Sequence, residues 1–314
     1  MVTLVITLLG SLAVLVITSR YAIRLLTNVT TALGISEFTV AFIILAVATS
    51  VPELSLSILS ALDNAGELVL ATALGSNVIN MTLIIGTAAI VSLGISTSGL
   101  KLGRDLLFGG VTTTMPILFL INGVISRLEG GILITAFCIY MLLLYRDQQA
   151  FSTKRTPRHI LKGAGSLLLA ILLLGVIVYA ADRTVGSSVE LARILGLPTF
   201  LIGIFLLALG TSLPEFTTTV QSALLRKPTM ALGNILGSNV TDSALIIGIA
   251  SVIRPIHVPI NPSLLTTVLF ILLSLILLGY FATTRKKISM SEGLVLLLVF
   301  IMFIITTLLV APAS

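Results

Sequence analysis

Ten runs of mostly apolar residues divide the chain, at roughly 2–26, 38–62, 67–93, 104–122, 129–145, 163–181, 199–224, 230–253, 263–283 and 291–310. A helix needs about 20 such residues to cross the hydrocarbon of a bilayer. The runs are long and rich in Leu and Ile and do not alternate with a period of two, so they predict spanning helices rather than a barrel. Composition points the same way. Of the 314 residues 57% are hydrophobic and only 10% charged, against about 25% charged in a soluble domain. Surface-to-volume scaling leaves no way to hide that much apolar side chain, which excludes a water-soluble enzyme. Disorder is excluded by the same hydrophobicity. A single cysteine, Cys138, excludes an internal disulfide framework or a multi-cysteine metal site. No charge precedes the first run and its only charges, Arg20 and Arg24, stand toward its far end, so it reads as a span rather than a signal peptide.

Basic residues orient spans, the cytoplasmic connectors carrying the excess. With the N-terminus outside, fourteen lie on the inner side: Arg20, Arg24, Lys101, Arg104, Arg146, Lys154, Arg155, Arg158, Lys162, Arg226, Lys227, Arg285, Lys286 and Lys287. Arg127, Arg183, Arg193 and Arg254 remain outside. This split predicts a multi-pass protein of the cell membrane with both termini outside and a basic cytoplasmic connector at 146–162. It also accounts for the net charge of +6 without a nucleic-acid partner. The only partner that the composition itself requires is the lipid bilayer, and the chain is expected to be a monomer.

The two halves contain the same words. LAVATSVPELSLS at 45–57 and ALGSNVINMTLIIG at 73–86 match LALGTSLPEFTTT at 207–219 and ILGSNVTDSALIIG at 235–248. The offset is constant, because Glu53 to Glu215 and Asn80 to Asp242 are both 162 residues. With five spans per half, equivalent helices cross in opposite senses. The expected fold is therefore an all-α membrane protein of ten transmembrane helices arranged as two inverted five-helix repeats, 1–145 and 163–314, joined by 146–162. That architecture belongs to secondary transporters, whose substrate site lies near the midplane where broken helices meet.

Nine of the twelve acidic residues can sit in or beside connectors, but Glu53, Glu215 and Asp242 fall inside runs. A carboxylate at a span centre costs about 2.5–3.5 kcal/mol on insertion scales, so the three together cost about 8–10 kcal/mol. No intramembrane Lys or Arg offsets them, and bound cations would. Ala46, Thr49, Ser50, Glu53 and Ser57 form a stripe at helical spacing, and Ala208, Thr211, Ser212, Glu215 and Thr219 form its mate. Ser76 and Asn80 share a helix face, as do Ser238 and Asp242. An all-oxygen set without a His or Cys cluster suits hard cations such as calcium and sodium. Pro52 and Pro214 have no N–H for the carbonyls of Ala48 and Gly210, so each is expected to bend its helix. Gly75 and Gly237, with Ala71 and Gly233, make small-xxx-small pairs that serve close helix packing. Cys138 is expected to be an apolar filler.

TSVPE with GSNVIN, and GTSLPE with GSNVTD, resemble the alpha repeats of the calcium/cation antiporter superfamily, and specifically its compact prokaryotic sodium/calcium exchangers. The likeness covers about 50 residues in each half, while the ten-span layout covers the whole chain. It implies an antiporter, not an enzyme, that needs no cofactor and carries calcium and sodium ions by alternating access, with spans one and six sliding across the other eight. It implies four cation subsites in a diamond. Glu53 and Glu215 are central, with Thr49, Ser50, Ser76 and Asn80 from the first repeat and Thr211, Ser212, Ser238 and Asp242 from the second. The carbonyls of Ala46 and Ala208 complete the set. Exchange of three sodium ions for one calcium ion, which the resemblance also suggests, would be electrogenic. The chain departs from the usual motif in Ala48, where Gly is frequent, and in Asp242, which potassium-dependent relatives also carry. A calcium/proton or potassium-dependent exchanger of the same fold is the alternative.

Overall fold

In lipid, apolar side chains gain nothing by turning inward, and helix contacts fall to small and polar residues. The runs richest in Gly, Ser, Asn and Thr accordingly become the centre of the bundle. In the computed structural model, which describes residues 2–33, 36–98, 102–149, 157–194 and 208–310, the most apolar 18-residue stretches of the helices Gly66–Val91 and Pro228–Ile253 are 78% and 83% buried. The Leu-rich helices Arg104–Asn122, Arg127–Leu144, Gly163–Thr184, Pro262–Thr284 and Met290–Val310 surround them and are at most 33% buried. They turn Leu107, Leu142, Leu172, Leu269 and Leu298 outward. Cys138 is exposed on this outer surface and fills no core.

Among the described residues, eight helices are long and apolar enough to cross a membrane. A ninth span forms if Glu37–Thr49 and Val51–Leu62, which meet at 47°, are one broken helix. Of the run at 199–224, the helices Ala208–Thr211 and Leu213–Leu224 are described, and 199–207 lie outside the described residues. Helix continues into the expected connector 146–162 from both sides. One helix runs through to Gln149 and the next, Pro157–Ile194, begins before the expected span. At 1.5 Å per residue its 38 residues reach about 57 Å, beyond the roughly 30 Å hydrocarbon core. Arg, Gln and Lys are good helix formers, so nothing stops these helices where the lipid ends.

Val2–Leu33 packs along Pro157–Ile194 through Leu15, Ile23 and Leu26 against Leu174 and Ile177. Thr184 donates to the Ser11 hydroxyl across the pair at 2.8 Å. The pair rests on the rest of the bundle through Ala41, Leu45 and Met230.

Features recur between the halves at nearly the motif offset. Ile95–Ser96 pairs antiparallel with Lys287–Ile288, and Val124–Ile125 pairs with Ile256–His257. Positions 95 and 256 are 161 apart, and 124 and 287 are 163 apart. The two ladders lie at opposite ends of Gly66–Val91. A Cβ on Gly66 would stand 3.1 Å from Ile256, while one on Gly94, just beyond the other end, would stand 3.1 Å from the Ile288 carbonyl. Glycines permit the crossings below each ladder. A Cβ on Gly86 would come within 2.8 Å of the Gly293 carbonyl, and one on Gly248 within 3.0 Å of the Gly130 carbonyl. The helices Arg127–Gln149 and Met290–Val310 open with the same capping box. The Ser126 N–H donates to Glu129 Oε2 and the Ser289 N–H to Glu292 Oε2, each at 2.7 Å. The helices Val51–Leu62 and Leu213–Leu224 also end alike. Asn64 and Arg226 adopt positive φ of 62° and 56°. The following N–H groups of Ala65 and Lys227 return to the carbonyls of Ser60 and Ser222 at 2.7 and 2.8 Å, a six-to-one closure.

Candidate cation site

The helix breaks fall at serines. Ser50 (φ −81°, ψ 9°) and Ser212 (φ −84°, ψ 5°) leave the helical conformation, and new helices begin at Val51 and Leu213. Pro52 and Pro214 thus occupy a first turn, where a missing N–H costs nothing. The expected proline bend is realised as an interruption followed by a fresh start. Glu53 and Glu215 lie in the first turns of the new helices, where the positive end of the helix dipole favours a carboxylate.

Three other candidates lie in π-helical turns. Ala46 ends the turn Ala41–Ala46, and Asn80 and Asp242 lie within Asn80–Ile84 and Thr241–Ile246. An extra residue per turn widens the backbone locally, and such bulges are frequent at functional sites. Close helix contact sets the first of these turns against Pro228–Val240. A Cβ on Gly237 would lie 2.6 Å from the Ala46 Cβ and 2.9 Å from the Phe42 carbonyl. The carbonyl of Phe38 similarly crowds Gly233.

Thr49, Ser50, Glu53, Ser76, Asn80, Ser212, Glu215, Ser238 and Asp242 are all at most 2% exposed. Thr211 is half-buried, and Ala208 opens the short helix Ala208–Thr211. The contacts cross between the halves. The Ser50 hydroxyl donates to Glu215 Oε1 at 3.3 Å, and the Ser76 and Ser212 hydroxyls are 3.2 Å apart. The Thr211 hydroxyl faces the Glu53 carboxyl. Thr49 and Ser238 face Glu215, Ser238 without completing a hydrogen bond. Thr49 also donates to the Ala46 carbonyl at 3.1 Å. Glu53, Glu215 and Asp242 are close enough to repel one another.

Much of this oxygen has no partner. Glu53 Oε2, Glu215 Oε2, Asp242 Oδ1, Asn80 Oδ1 and Asn77 Oδ1 are buried without a hydrogen bond, as is the Ser238 hydroxyl. The two amide oxygens are acceptors only, as are the carboxylate oxygens when ionised, and no Lys, Arg or His is buried among the described residues. Burying acceptors without donors is costly. A cation satisfies such a set directly. Among the described residues, no three Asp, Glu, His or Cys side chains converge on one metal position, so hydroxyl, amide and carbonyl oxygens would have to complete any coordination shell.

The sequence did not single out four further residues. Asn80 donates to Asn239 Oδ1 at 3.0 Å, and Asn77 donates to the Ser243 hydroxyl at 2.6 Å. Both bonds link the halves. Asn77 and Asn239 were legible as the shared Asn of GSN. Ser243 has no counterpart in the first half, where Met81 stands. Asn234, which bonds the Glu215 turn, replaces Thr72 at the repeat offset and gave no repeat signal.

A family model described as sodium/calcium exchanger protein matches residues 3–146 and 165–309. The chain belongs to the sodium/calcium exchanger family. The sodium/calcium exchanger MaX1 of Methanosarcina acetivorans is 30% identical, over 97% of this chain and 98% of that one. The solved structure of the sodium-calcium exchanger NCX_Mj soaked with 10 mM Na+ and no Ca2+ superposes with a TM-score of 0.85 at 26% identity, covering 97% of this chain and 99% of the other. The membership explains the polar centre of a chain otherwise so apolar. A shorter likeness joins 42% of the chain, at 31% identity, to 20% of sodium/potassium/calcium exchanger 1 of Gallus gallus.

Proposed function

We propose that this protein is a secondary active antiporter that exchanges sodium for calcium across the cell membrane by alternating access. The observation that carries the reading is the set of buried, unpartnered carboxylate and amide oxygens of Glu53, Glu215, Asp242, Asn80 and Asn77. In this reading Glu53 and Glu215 are the central ligands. Thr49, Ser50, Ser76 and Asn80 serve from one repeat, Thr211, Ser212, Ser238 and Asp242 from the other, and the carbonyls of Ala46 and Ala208 complete the shell. Family membership and the relatives' names support calcium and sodium as the ions carried.

The mechanism is charge neutralisation. A loaded site can cross the barrier only when its carboxylates are offset, by one divalent ion or by several monovalent ones. An empty site retains buried negative charge, which opposes uncoupled return. Because both ions use the same oxygens, they compete, and competition across two faces is exchange.

The ladders, capping boxes, helix ends and glycine crossings that recur at 161–163 residues, with the two ladders at opposite ends, support two inverted five-helix repeats, 1–145 and 163–314. Ten spans, with both termini outside and the basic connector cytoplasmic, agree with the distribution of Lys and Arg. The ion pair of Lys227 with Glu37 at 2.7 Å joins two segments that this orientation puts on the inner side. The likeness to a sodium/potassium/calcium exchanger supports potassium as an additional ion in a second reading, on which Asp242 by itself does not decide.

The test is calcium uptake into proteoliposomes loaded with sodium. Uptake that follows the sodium gradient supports exchange, and uptake indifferent to collapse of that gradient rejects sodium coupling. Repeating the experiment with potassium and proton gradients separates the alternatives.

A further inference from the structure

Asn234 stands four residues before Ser238 and eight before Asp242, so the three share one face of Pro228–Ile253. It is fully buried. Its side-chain amide nitrogen lies 2.8 Å from Thr219 Oγ1, 3.0 Å from Thr218 Oγ1 and 3.5 Å from the Glu215 carbonyl. All three acceptors belong to the turn that Glu215 opens. Thr218 passes the link on, donating its own hydroxyl to the Pro214 carbonyl at 2.7 Å. One carboxamide therefore ties the segment Pro214–Thr219 to the helix that bears Ser238 and Asp242.

The first half has no equivalent. At the offset of 162, Asn234 corresponds to Thr72, and Thr218 and Thr219 correspond to Leu56 and Ser57. Ser57 Oγ is buried without a partner. A bridge on the Glu215 side faces no bridge on the Glu53 side.

We propose that Asn234 is a positioning residue for calcium, holding the Glu215 carboxylate in fixed register with Ser238 and Asp242. This rests on the reading of the cation site given above. Calcium affinity depends on ligand charge and on the rigidity of the site, and supporting residues that orient a metal's ligands are typically worth about 10–100-fold in affinity. Loosening the Glu215 turn weakens the hold on a divalent ion that must draw several oxygens together at once. A monovalent ion demands less of that register, so sodium half-saturation moves less than calcium half-saturation.

The full chain, purified and reconstituted, provides the test, with calcium and sodium ions as the probes. Asn234→Ala is expected to raise the calcium concentration for half-maximal uptake by about tenfold or more, with little change in maximal rate and a smaller shift for sodium. Thr219→Val, which keeps the shape and removes one acceptor, is expected to shift calcium in the same direction by less. Thr72→Ala is expected to shift neither ion. A purely structural role would instead lower the melting temperature of the ion-free protein and leave half-saturation unchanged. If Asn234→Ala folds poorly, Thr219→Val carries the test. Unchanged calcium half-saturation in Asn234→Ala and Thr219→Val, or an equal shift in Thr72→Ala, overturns the proposal. A wild-type chain that neither binds calcium nor moves it overturns the underlying site reading as well, which separates the two failures.

Discussion

Ser50 donates its hydroxyl to Glu215 Oε1 at 3.3 Å across 165 positions of sequence. The serine marks the helix break in one half, and the glutamate opens the restarted helix of the other. Each half thus lends a hydroxyl to the other's carboxyl, since Thr211 faces Glu53 in the same way. A centre built from crossed contacts makes the two glutamates one unit, and their substitution tests it most directly.

Glu53→Gln and Glu215→Gln keep shape and remove one carboxylate from the set that, in the proposed function, cations offset. Each is expected to lower sodium-driven calcium uptake by about 100-fold or more, beyond what loss of a supporting residue gives. Radiolabelled calcium uptake at matched reconstitution density is the measurement. Near-normal uptake in both variants would remove the carboxylates from the mechanism.

In the proposed site, Asp242→Asn removes one negative charge while keeping the side chain's size. Fewer positive charges then neutralise the site. Calcium uptake driven by sodium is expected to persist and to lose any dependence on potassium present in the wild type. Uptake measured with and without potassium on each side decides this.

Gly237→Ala places a methyl group 2.6 Å from the Ala46 Cβ and 2.9 Å from the Phe42 carbonyl. Backbone must yield, at about 1–3 kcal/mol for overpacking. Because the contact bears on the π-helical turn ending at Ala46, uptake is expected to fall together with the melting temperature. Both are measurable on the same purified sample.

Ser126→Ala and Ser289→Ala remove the side-chain half of each capping box and are expected to cost about 0.5–2 kcal/mol of stability apiece. Both boxes lie at helix starts away from the oxygen cluster. Calcium half-saturation in these variants is therefore expected to match the wild type, while thermal unfolding shifts downward.

What was legible in the sequence was whatever chemistry repeats by composition. Runs of Leu and Ile announced the spans because bilayer thickness sets their length. Glu53, Glu215 and Asp242 announced themselves because an unpaired carboxylate there is expensive. Backbone detail was less visible. A proline after a serine reads equally as a kink or as a restart, and only coordinates distinguish the break at Ser50. The π-helical turns have no compositional mark. The lengths of Arg127–Gln149 and Pro157–Ile194 were underestimated because hydropathy reports where lipid ends, not where helix ends. Asn234 has no mark in the repeat, because Thr72 stands at its offset in the first half.

The two short ladders have a mechanical meaning. Ile95–Ser96 with Lys287–Ile288, and Val124–Ile125 with Ile256–His257, act as staples at the two faces of the protein. They lock the central helices to their outer neighbours above the glycine crossings. Among the described residues, Val2–Leu33 and the long Pro157–Ile194 carry no such staple and lie against the stapled body along a seam of Leu, Ile, Ala and Met side chains, crossed by the Ser19–Thr217 hydroxyl contact at 3.1 Å. Such a seam resists shear less than a stapled joint does, which suits the sliding that alternating access would ask of this pair in the proposed mechanism.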